Sequence, residues 1–179
     1  MAETYTLHVA GLTRELPICK VNDHMDIAAF IMFSDVELTV ACAAELLKKV
    51  PEFDVILTAE AKGIPLAYEM SRQSGKQWLP ARKGAKLYMQ DPVVIKDESI
   101  TTAGKQVLVM DRKDIEYMNG KRILIVDDVI STGGSLHALE TLAAKSTGTI
   151  VGCCAALAEG DAANRTDITF LAPLPLFLH

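Results

Sequence analysis

The sequence has no long apolar run, and its first residues do not predict a secretory leader. No uninterrupted apolar stretch reaches the roughly 18–20 residues that a membrane-spanning helix needs. The first residues, MAETYTLHVAG, have neither the basic start nor the apolar core of a signal peptide. We therefore expect a cytoplasmic protein with no membrane partner.

The spacing of the cysteines gives no sign of a metal site or a disulfide framework. The four cysteines are Cys19, Cys42, Cys153 and Cys154. No two of them form a C-x-x-C pair, and residues 153 and 154 would point to opposite faces of a strand. We expect them to be small apolar side chains in a reducing compartment. The four histidines are equally scattered, which argues against a transition-metal site.

Positive charge is also in short supply. The chain has 18 Lys and Arg residues against 23 Asp and Glu residues, a formal net charge of −5. A general nucleic-acid-binding protein needs a basic face to displace counterions, so we expect no nucleic-acid partner. Half of the 179 residues are hydrophobic, which is ordinary globular composition. That length fits one domain over residues 1–179 with a single core.

The apolar pattern predicts alternating strands and helices. Short apolar runs are typical of strands covered on both faces, whereas apolar residues at helical spacing indicate helices. Strands are predicted at 53–59, 76–82, 122–127, 149–157 and 167–172, and helices at 35–50, 63–75 and 134–146. Ser34 would cap the first helix, with Glu37 at the capping-box spacing. This alternation predicts an α/β fold with a mostly parallel central sheet flanked by helices.

Two segments depart from that alternation. Residues 5–11 and 14–21 alternate around Gly11, which predicts an N-terminal hairpin forming a small hood. Residues 83–120 are polar and contain Gly84, Pro92 and Gly104, so we expect a mobile loop and a β-ribbon there.

One stretch, RILIVDDVISTGGSL at residues 122–136, combines three features at the end of a predicted strand. Four branched aliphatic residues lead into Asp127 and Asp128, and a turn of hydroxyl and glycine residues follows. The residues of that turn are Ser131, Thr132, Gly133, Gly134 and Ser135. Because ligands of open α/β sheets bind beyond the carboxyl ends of the strands, we expect this stretch to form a binding site.

The two halves of the stretch suit different parts of one ligand. Gly133 and Gly134 let the backbone approach closely, and the amide groups at a helix start, with the hydroxyls, favour a phosphate. The carboxylates of Asp127 and Asp128 repel phosphate but suit vicinal sugar hydroxyls or a Mg²⁺ ion. A phosphorylated sugar satisfies both halves. A solvated acidic pair beside a Gly-rich helix cap would explain each half alone, but not their combination.

Known phosphate motifs narrow the interpretation. The stretch lacks the G-x-x-x-x-G-K-[ST] of a Walker P-loop and the G-x-G-x-x-G of a dinucleotide site. A phospho-receiver domain also uses paired acids, but on an early strand and without this loop.

VDDVISTGGS closely resembles the signature of type I phosphoribosyltransferases, which bind 5-phosphoribosyl-1-pyrophosphate (PRPP). The resemblance extends from about residue 32 to residue 171. FIMFSDVELT, LTAEAKGIPLA and LPARKGAKL are similar to segments of the adenine and xanthine branch.

The resemblance implies roles for most of the site. Asp127 and Asp128 would be the catalytic pair, contacting the ribose hydroxyls and holding Mg²⁺ directly or through the ligand, and residues 131–135 would hold the 5′-phosphate. The pyrophosphate loop would contribute Ala61, Lys62 and Gly63, and in this family it usually contains a cis peptide without proline. The further cations expected at the pyrophosphate are Arg82, Lys83 and Lys86. Without the resemblance, Lys62 and Arg82–Lys83 would be taken as solvated residues at a helix start and a strand end.

The same resemblance places the purine between Phe33 and Val129, although composition alone would put Phe33 in the core. The sequence departs from the adenine pattern in two places. Ser34 stands where the branch usually has Arg, and ITTAGKQ at residues 100–106 replaces a Glu-Tyr-Gly of the mobile loop. ARKGAKLYMQD at residues 81–91 leans towards xanthine-type relatives.

The resemblance therefore implies a purine phosphoribosyltransferase of purine salvage. It would convert a purine base, with adenine favoured, and PRPP to the nucleoside 5′-monophosphate and pyrophosphate, with Mg²⁺ as cofactor and a homodimer as the assembly. The alternatives are a xanthine or hypoxanthine-guanine phosphoribosyltransferase, a PRPP-sensing regulator without useful catalysis, and a catalytically inactive structural subunit.

Overall fold

The computed structural model describes residues 3–97 and 106–179. Its strands are β1 (Thr4–Val9), β2 (Leu12–Asn22), β3 (Met25–Ala28), β4 (Val55–Ala59), β5 (Gln77–Ala81), β6 (Val93–Asp97), β7 (Gln106–Met110), β8 (Arg122–Ile130), β9 (Thr149–Glu159), β10 (Thr169–Leu174) and β11 (Leu176–Leu178). Its helices are α1 (Val36–Leu47), α2 (Ile64–Ser74), α3 (Arg112–Tyr117), α4 (Gly134–Ala143) and a short 3-10 helix (Gly160–Asn164). Within these residues, no helix is long and apolar enough to cross a membrane.

The central sheet is parallel throughout, as the alternation of strands and helices predicts. Its order is β10-β9-β8-β4-β5, and every neighbouring pair runs parallel. Side chains of α1 and α2 pack on one face of this sheet, and side chains of α3 and α4 pack on the other. All five residues of β4 are buried, which is expected for a strand covered on both faces. The α/β fold with helices on both faces is confirmed.

A smaller antiparallel sheet forms the hood. Its order is β1-β2-β3-β11. β1 and β2 form the predicted N-terminal hairpin, β3 pairs antiparallel with β2, and the three-residue strand β11 pairs antiparallel with β3. Leu7, Val9 and Leu16 of the hood share a buried cluster with Ala172 and Leu174 of β10. The hood is therefore held against the edge of the sheet at which β10 lies.

The polar excursion contains the expected β-ribbon, in which β6 pairs antiparallel with β7. The mobile loop predicted beside it, including all of ITTAGKQ except Gln106, lies outside the described residues. The six-residue helix α3 was not predicted, because its short polar sequence has too few apolar residues to show helical spacing.

The predicted cap of α1 was wrong by one residue. Asp35 is the N-cap, and its Oδ1 accepts a hydrogen bond from the backbone N–H of Leu38 at 3.0 Å. Ser34 lies in the left-handed region at a φ of 68°. Asp35 is favoured because Arg14 of the hood donates to both of its carboxylate oxygens, at 2.7 and 3.1 Å, and also pairs with Glu37 at 2.7 Å.

Candidate active site

The acidic pair lies inside β8 rather than beyond its end. β8 continues to Ile130 because residues 129 and 130 still pair with β9, at Leu157 and Ala158. Asp128 is only 5% exposed, and Asp127 Oδ1 accepts a hydrogen bond from the backbone N–H of Asp128 at 2.9 Å. Among the described residues, Asp128 Oδ2 is buried and has no hydrogen-bond partner. A buried acceptor of this kind is unfavourable unless a ligand supplies the donor or the cation.

The electrostatics of the acidic pair also favour a ligand that supplies a hydrogen-bond donor or a cation. Burial and then the neighbouring charge of Asp128 raise the pKa of Asp127, and burial raises the pKa of Asp128. The positive charge of Lys62 acts in the opposite direction on both groups. One lysine does not cancel these effects, so hydroxyl donors or a cation would relieve the two carboxylates.

The turn that follows has the geometry of an anion site. Gly133 has a φ of +87°, in the left-handed region that favours glycine, and α4 starts directly after it. Ser131 and Ser135 line a cavity in front of the acidic pair. Thr132, Gly133 and Gly134 belong to the same turn without lining that cavity. The first backbone N–H groups of a helix such as α4 favour a phosphate.

The loop after β4 reaches the same cavity. The peptide between Glu60 and Ala61 is cis, and Ala61 and Lys62 line the cavity. Gly63 lies against β8, since a Cβ there would be 2.5 Å from Thr58 Oγ1 and 3.0 Å from Asp127 Oδ1. Only glycine lets this loop approach the acidic pair so closely.

The predicted cations do not all reach the cavity. Lys62 and Lys83 line it, whereas Arg82 and Lys86 do not. Arg82 instead donates to the Glu60 carboxylate through Nε at 3.0 Å and Nη2 at 3.3 Å, and through Nη1 to Tyr88 at 2.8 Å. The backbone N–H of Lys83 donates to the same carboxylate at 2.9 Å. Arg82 therefore fastens the loop after β4 to the end of β5.

The aromatic residue in the cavity is Phe30, three positions before the predicted Phe33. Phe30 is 4% exposed and lines the cavity together with Val129, while Phe33 is 49% exposed and does not line it. Exposure alternates from Phe30 to Phe33, as in an extended segment. Because 27–33 reads IAAFIMF, apolar at every position, the sequence gives no clue to which residues point inwards.

The cavity measures about 770 Å³ and lies between the carboxyl ends of the central strands and the hood. That volume suits a small-molecule ligand. Glu159 and Leu174, which were not predicted from the sequence, also line the cavity, at the ends of β9 and β10. An acidic residue that ends an apolar run, the signal that identified Asp127, is also present at Glu159.

The acidic pair also fits a metal ion that is partly held by a ligand. In the described part of the chain, no three His, Cys, Asp or Glu residues are grouped closely enough to hold a metal ion by themselves. Asp127 and Asp128 supply hard carboxylate oxygens, one of them buried and unpaired. Mg²⁺ commonly binds through one or two carboxylates together with substrate phosphates, so these residues fit that ion.

Comparisons with known proteins agree with this geometry. An adenine phosphoribosyltransferase of Thermotoga sp. (strain RQ2) is 36% identical over 100 residues, 56% of this chain and 56% of its own length. One from Cenarchaeum symbiosum (strain A) is 34% identical over 112 residues, 62% of this chain and 63% of its own length. The chain thus spans a little over half the length of these curated relatives.

Solved structures show the same fold. The adenine phosphoribosyltransferase of Thermoanaerobacter pseudethanolicus matches with a TM-score of 0.64 at 24% identity, covering 77% of this chain and 80% of its own. The purine phosphoribosyltransferase of Pyrococcus horikoshii matches with a TM-score of 0.53 at 17% identity, covering 80% and 85%. The family model of the phosphoribosyl transferase domain matches residues 39–171. The chain belongs to the phosphoribosyl transferase domain family.

Proposed function

We propose that this protein is a purine phosphoribosyltransferase of purine salvage that transfers the phosphoribosyl group of PRPP to a purine base, with adenine preferred. The observation that carries the proposal is the acidic pair, in which Asp128 is buried with one unpaired oxygen. The pair lies between a turn suited to phosphate and the loop that bears Lys62 and Gly63. A phosphorylated sugar with a second anionic group matches that order of groups.

Different residues of the site bind different parts of PRPP. The turn at residues 131–135 holds the 5′-phosphate, and Asp127 and Asp128 accept hydrogen bonds from the ribose hydroxyls. The cationic side of the cavity, with Lys62 and Lys83, faces the pyrophosphate. Asp127 and Asp128 would hold Mg²⁺, which would supply positive charge beside the pyrophosphate. Lys86 lies close enough to Glu60 to lower its pKa, so it adds positive charge beside the loop.

The chemistry asks little of the protein besides positioning and charge. The bond from C1′ to the pyrophosphate oxygen breaks and the electron pair leaves with pyrophosphate. The bond from C1′ to a purine nitrogen forms, and the proton of that nitrogen passes to water. Lys62 stabilises the negative charge that grows on the leaving pyrophosphate. Phe30 and Val129 hold the flat base over C1′, which makes the encounter of the two reactants intramolecular in effect.

Adenine is preferred because the curated relatives named above are adenine phosphoribosyltransferases. The test measures the release of pyrophosphate from PRPP in the presence of Mg²⁺, with adenine, hypoxanthine, guanine and xanthine supplied in turn. We expect turnover with adenine and its loss in Asp128→Asn. Turnover with xanthine alone would contradict the choice of base, and turnover with only a pyrimidine would contradict the purine assignment. PRPP binding without turnover of any base would favour a PRPP-sensing regulator instead.

We also propose a cytoplasmic homodimer. The cytoplasmic location is supported by the cysteines, all four of which are described and free, as expected in a reducing compartment. The dimer is supported by a surface patch of three exposed apolar side chains of α1 and α2, which line one groove. These are Val36, Val40 and Tyr68.

A further inference from the structure

Glu159 is a charged residue of the cavity that the proposed reaction has not yet used. It is the last residue of β9 and pairs with Leu174 of β10. Its half-buried side chain lines the cavity, and in the described part of the chain it has no hydrogen bond or ion pair. A carboxylate in this setting keeps its full capacity to accept hydrogen bonds from a ligand.

The backbone fixes the position of Glu159. The next residue, Gly160, has a φ of +57°, and a Cβ there would lie 2.6 Å from Leu176 Cδ1 of the hood. The chain therefore turns tightly beneath β11 directly after Glu159. A side chain set at such a turn between two packed sheets is held in place more firmly than one in an open loop.

The strand order puts Glu159 at the end of the cavity away from the pyrophosphate loop. β9 and β10 lie on one side of β8, and β4 with its loop lies on the other. Val129 is level with Leu157 on β9, and Glu159 is two residues further on. Strand spacing and rise then put the Cα atoms of Val129 and Glu159 roughly 8 Å apart, which is within the reach of a bound purine.

The surroundings at that end are otherwise apolar. Among the described residues from β9, β10, the hood and the segment after β3, Glu159 is the one charged side chain that lines the cavity. Leu174, its partner on β10, is apolar, as are Ala28 and Phe30, which also line the cavity. Lys62 and Lys83 line the cavity from the β4 and β5 side. A base in this part of the cavity meets one strong acceptor and no cationic donor.

We propose that Glu159 is a specificity-determining residue that accepts a hydrogen bond from the exocyclic amino group of the base. The inference rests on the proposed function and deepens it, because it assigns the site to aminopurines rather than oxopurines. An amino group donates to the carboxylate, whereas a carbonyl oxygen in its place opposes it. A buried mismatch of this kind reduces affinity by about 10- to 100-fold.

The test compares adenosine 5′-monophosphate with inosine 5′-monophosphate, which differ at the 6-position and share the ribose phosphate. Dissociation constants are measured by calorimetry for the wild-type protein, Glu159→Gln and Glu159→Ala. Glu116→Gln, at an exposed position of α3, is the matched control. We expect the wild type and the control to prefer the amino nucleotide at least tenfold. Both Glu159 variants should lose most of that preference while binding PRPP as tightly as the wild type.

An unchanged ratio of the two dissociation constants in both variants would overturn the inference. So would a parallel loss of affinity for both nucleotides and for PRPP, since that pattern indicates a structural role. Because nucleotide binding needs no turnover, the test is independent of catalysis. A Glu159-dependent ratio in a protein that turns over no base would support this inference and refute the enzymatic proposal.

Discussion

At the scale of single residues, Gly63 brings the loop after β4 into close contact with β8, the strand that carries the acidic pair. Gly63→Ala places a methyl group 2.5 Å from Thr58 Oγ1 and 3.0 Å from Asp127 Oδ1. We expect a loss of about 1–3 kcal/mol in the free energy of unfolding, because overpacking displaces its neighbours. The Michaelis constant for PRPP should rise as well, since the loop moves away from β8. Urea denaturation and initial rates measure the two effects.

Gly84→Ala is the matched control for that change. Nothing lies within 4 Å of a Cβ at position 84, so the stability of this variant should equal that of the wild type. If Gly63→Ala were equally harmless, the close contact between the loop and β8 would not exist in solution.

Asp128 should cost stability in the absence of ligand, and this cost should depend on pH. Burial raises its pKa, so the folded protein binds the proton more tightly than the unfolded chain, in which the pKa is about 4. Below that pH Asp128 is protonated in both states and destabilises the fold least. The cost appears as the pH rises through the pKa of Asp128 in the folded protein, because the buried carboxyl group then ionises. Asp128→Asn removes this dependence. Its melting temperature should equal or exceed that of the wild type, by a margin that grows from pH 5 to pH 8, while turnover falls.

Asp54→Asn is a control of opposite sign. Hydrogen bonds from Arg122 lower the pKa of Asp54 to about 2, so its contribution to stability is present above the unfolded pKa and is lost as the pH falls. This variant should melt below the wild type at pH 7. A drop of similar size in Asp128→Asn would mean that Asp128 serves the fold rather than the ligand.

At the scale of elements, the ion pair of Arg82 with Glu60 joins the end of β5 to the loop after β4. Lysine cannot reproduce the paired guanidinium contacts, so Arg82→Lys should loosen the loop and raise the Michaelis constant for PRPP by about tenfold. Glu60→Gln should have a similar effect, and the double variant should be no worse than either single one. Arg112→Lys, in an exposed pair with Asp91, is the matched control.

This comparison also tests the role that the sequence predicts for Arg82. If Arg82 contacts pyrophosphate directly, Arg82→Lys should weaken PRPP binding while Glu60→Gln leaves it unchanged. Equal effects of the two variants would instead place Arg82 behind the loop as a positioning residue.

At the scale of the whole molecule, the surface patch of α1 and α2 predicts self-association. Val36, Val40 and Tyr68 line a shallow groove between the two helices, and Val36 is 73% exposed. Contiguous exposed apolar surface of this kind is typical of an interface. We expect the wild type to sediment at twice the 19.4 kDa mass of the chain and Val36→Lys to sediment as a monomer. Val21→Lys, which changes an exposed valine of the hood, should remain dimeric, and a monomeric wild type would contradict the proposal.

The sequence by itself determined the central sheet with its helices, and the acidic pair and following turn of the candidate site. Apolar runs and helical spacing are local properties, so strands β4, β5, β8, β9 and β10 and helices α1, α2 and α4 are all legible in it. The acidic pair and the turn at residues 131–135 are contiguous, and a strand followed by a helix has few ways to present them. Parallel strands then bring the loop with Lys62 to the same edge of the sheet.

Tertiary structure decided everything that depends on residues distant in sequence or on the direction of a side chain. The three residues of β11 become a strand only because β3 pairs with them. Phe30 rather than Phe33 lines the cavity. Segment 27–33 is apolar throughout, so its packing in the folded protein decides which alternate side chains face inwards. Arg82 turns to Glu60, and Glu159 joins the cavity, because neighbouring strand ends meet in space. Spacing along the chain does not encode such meetings; the register of the sheet does.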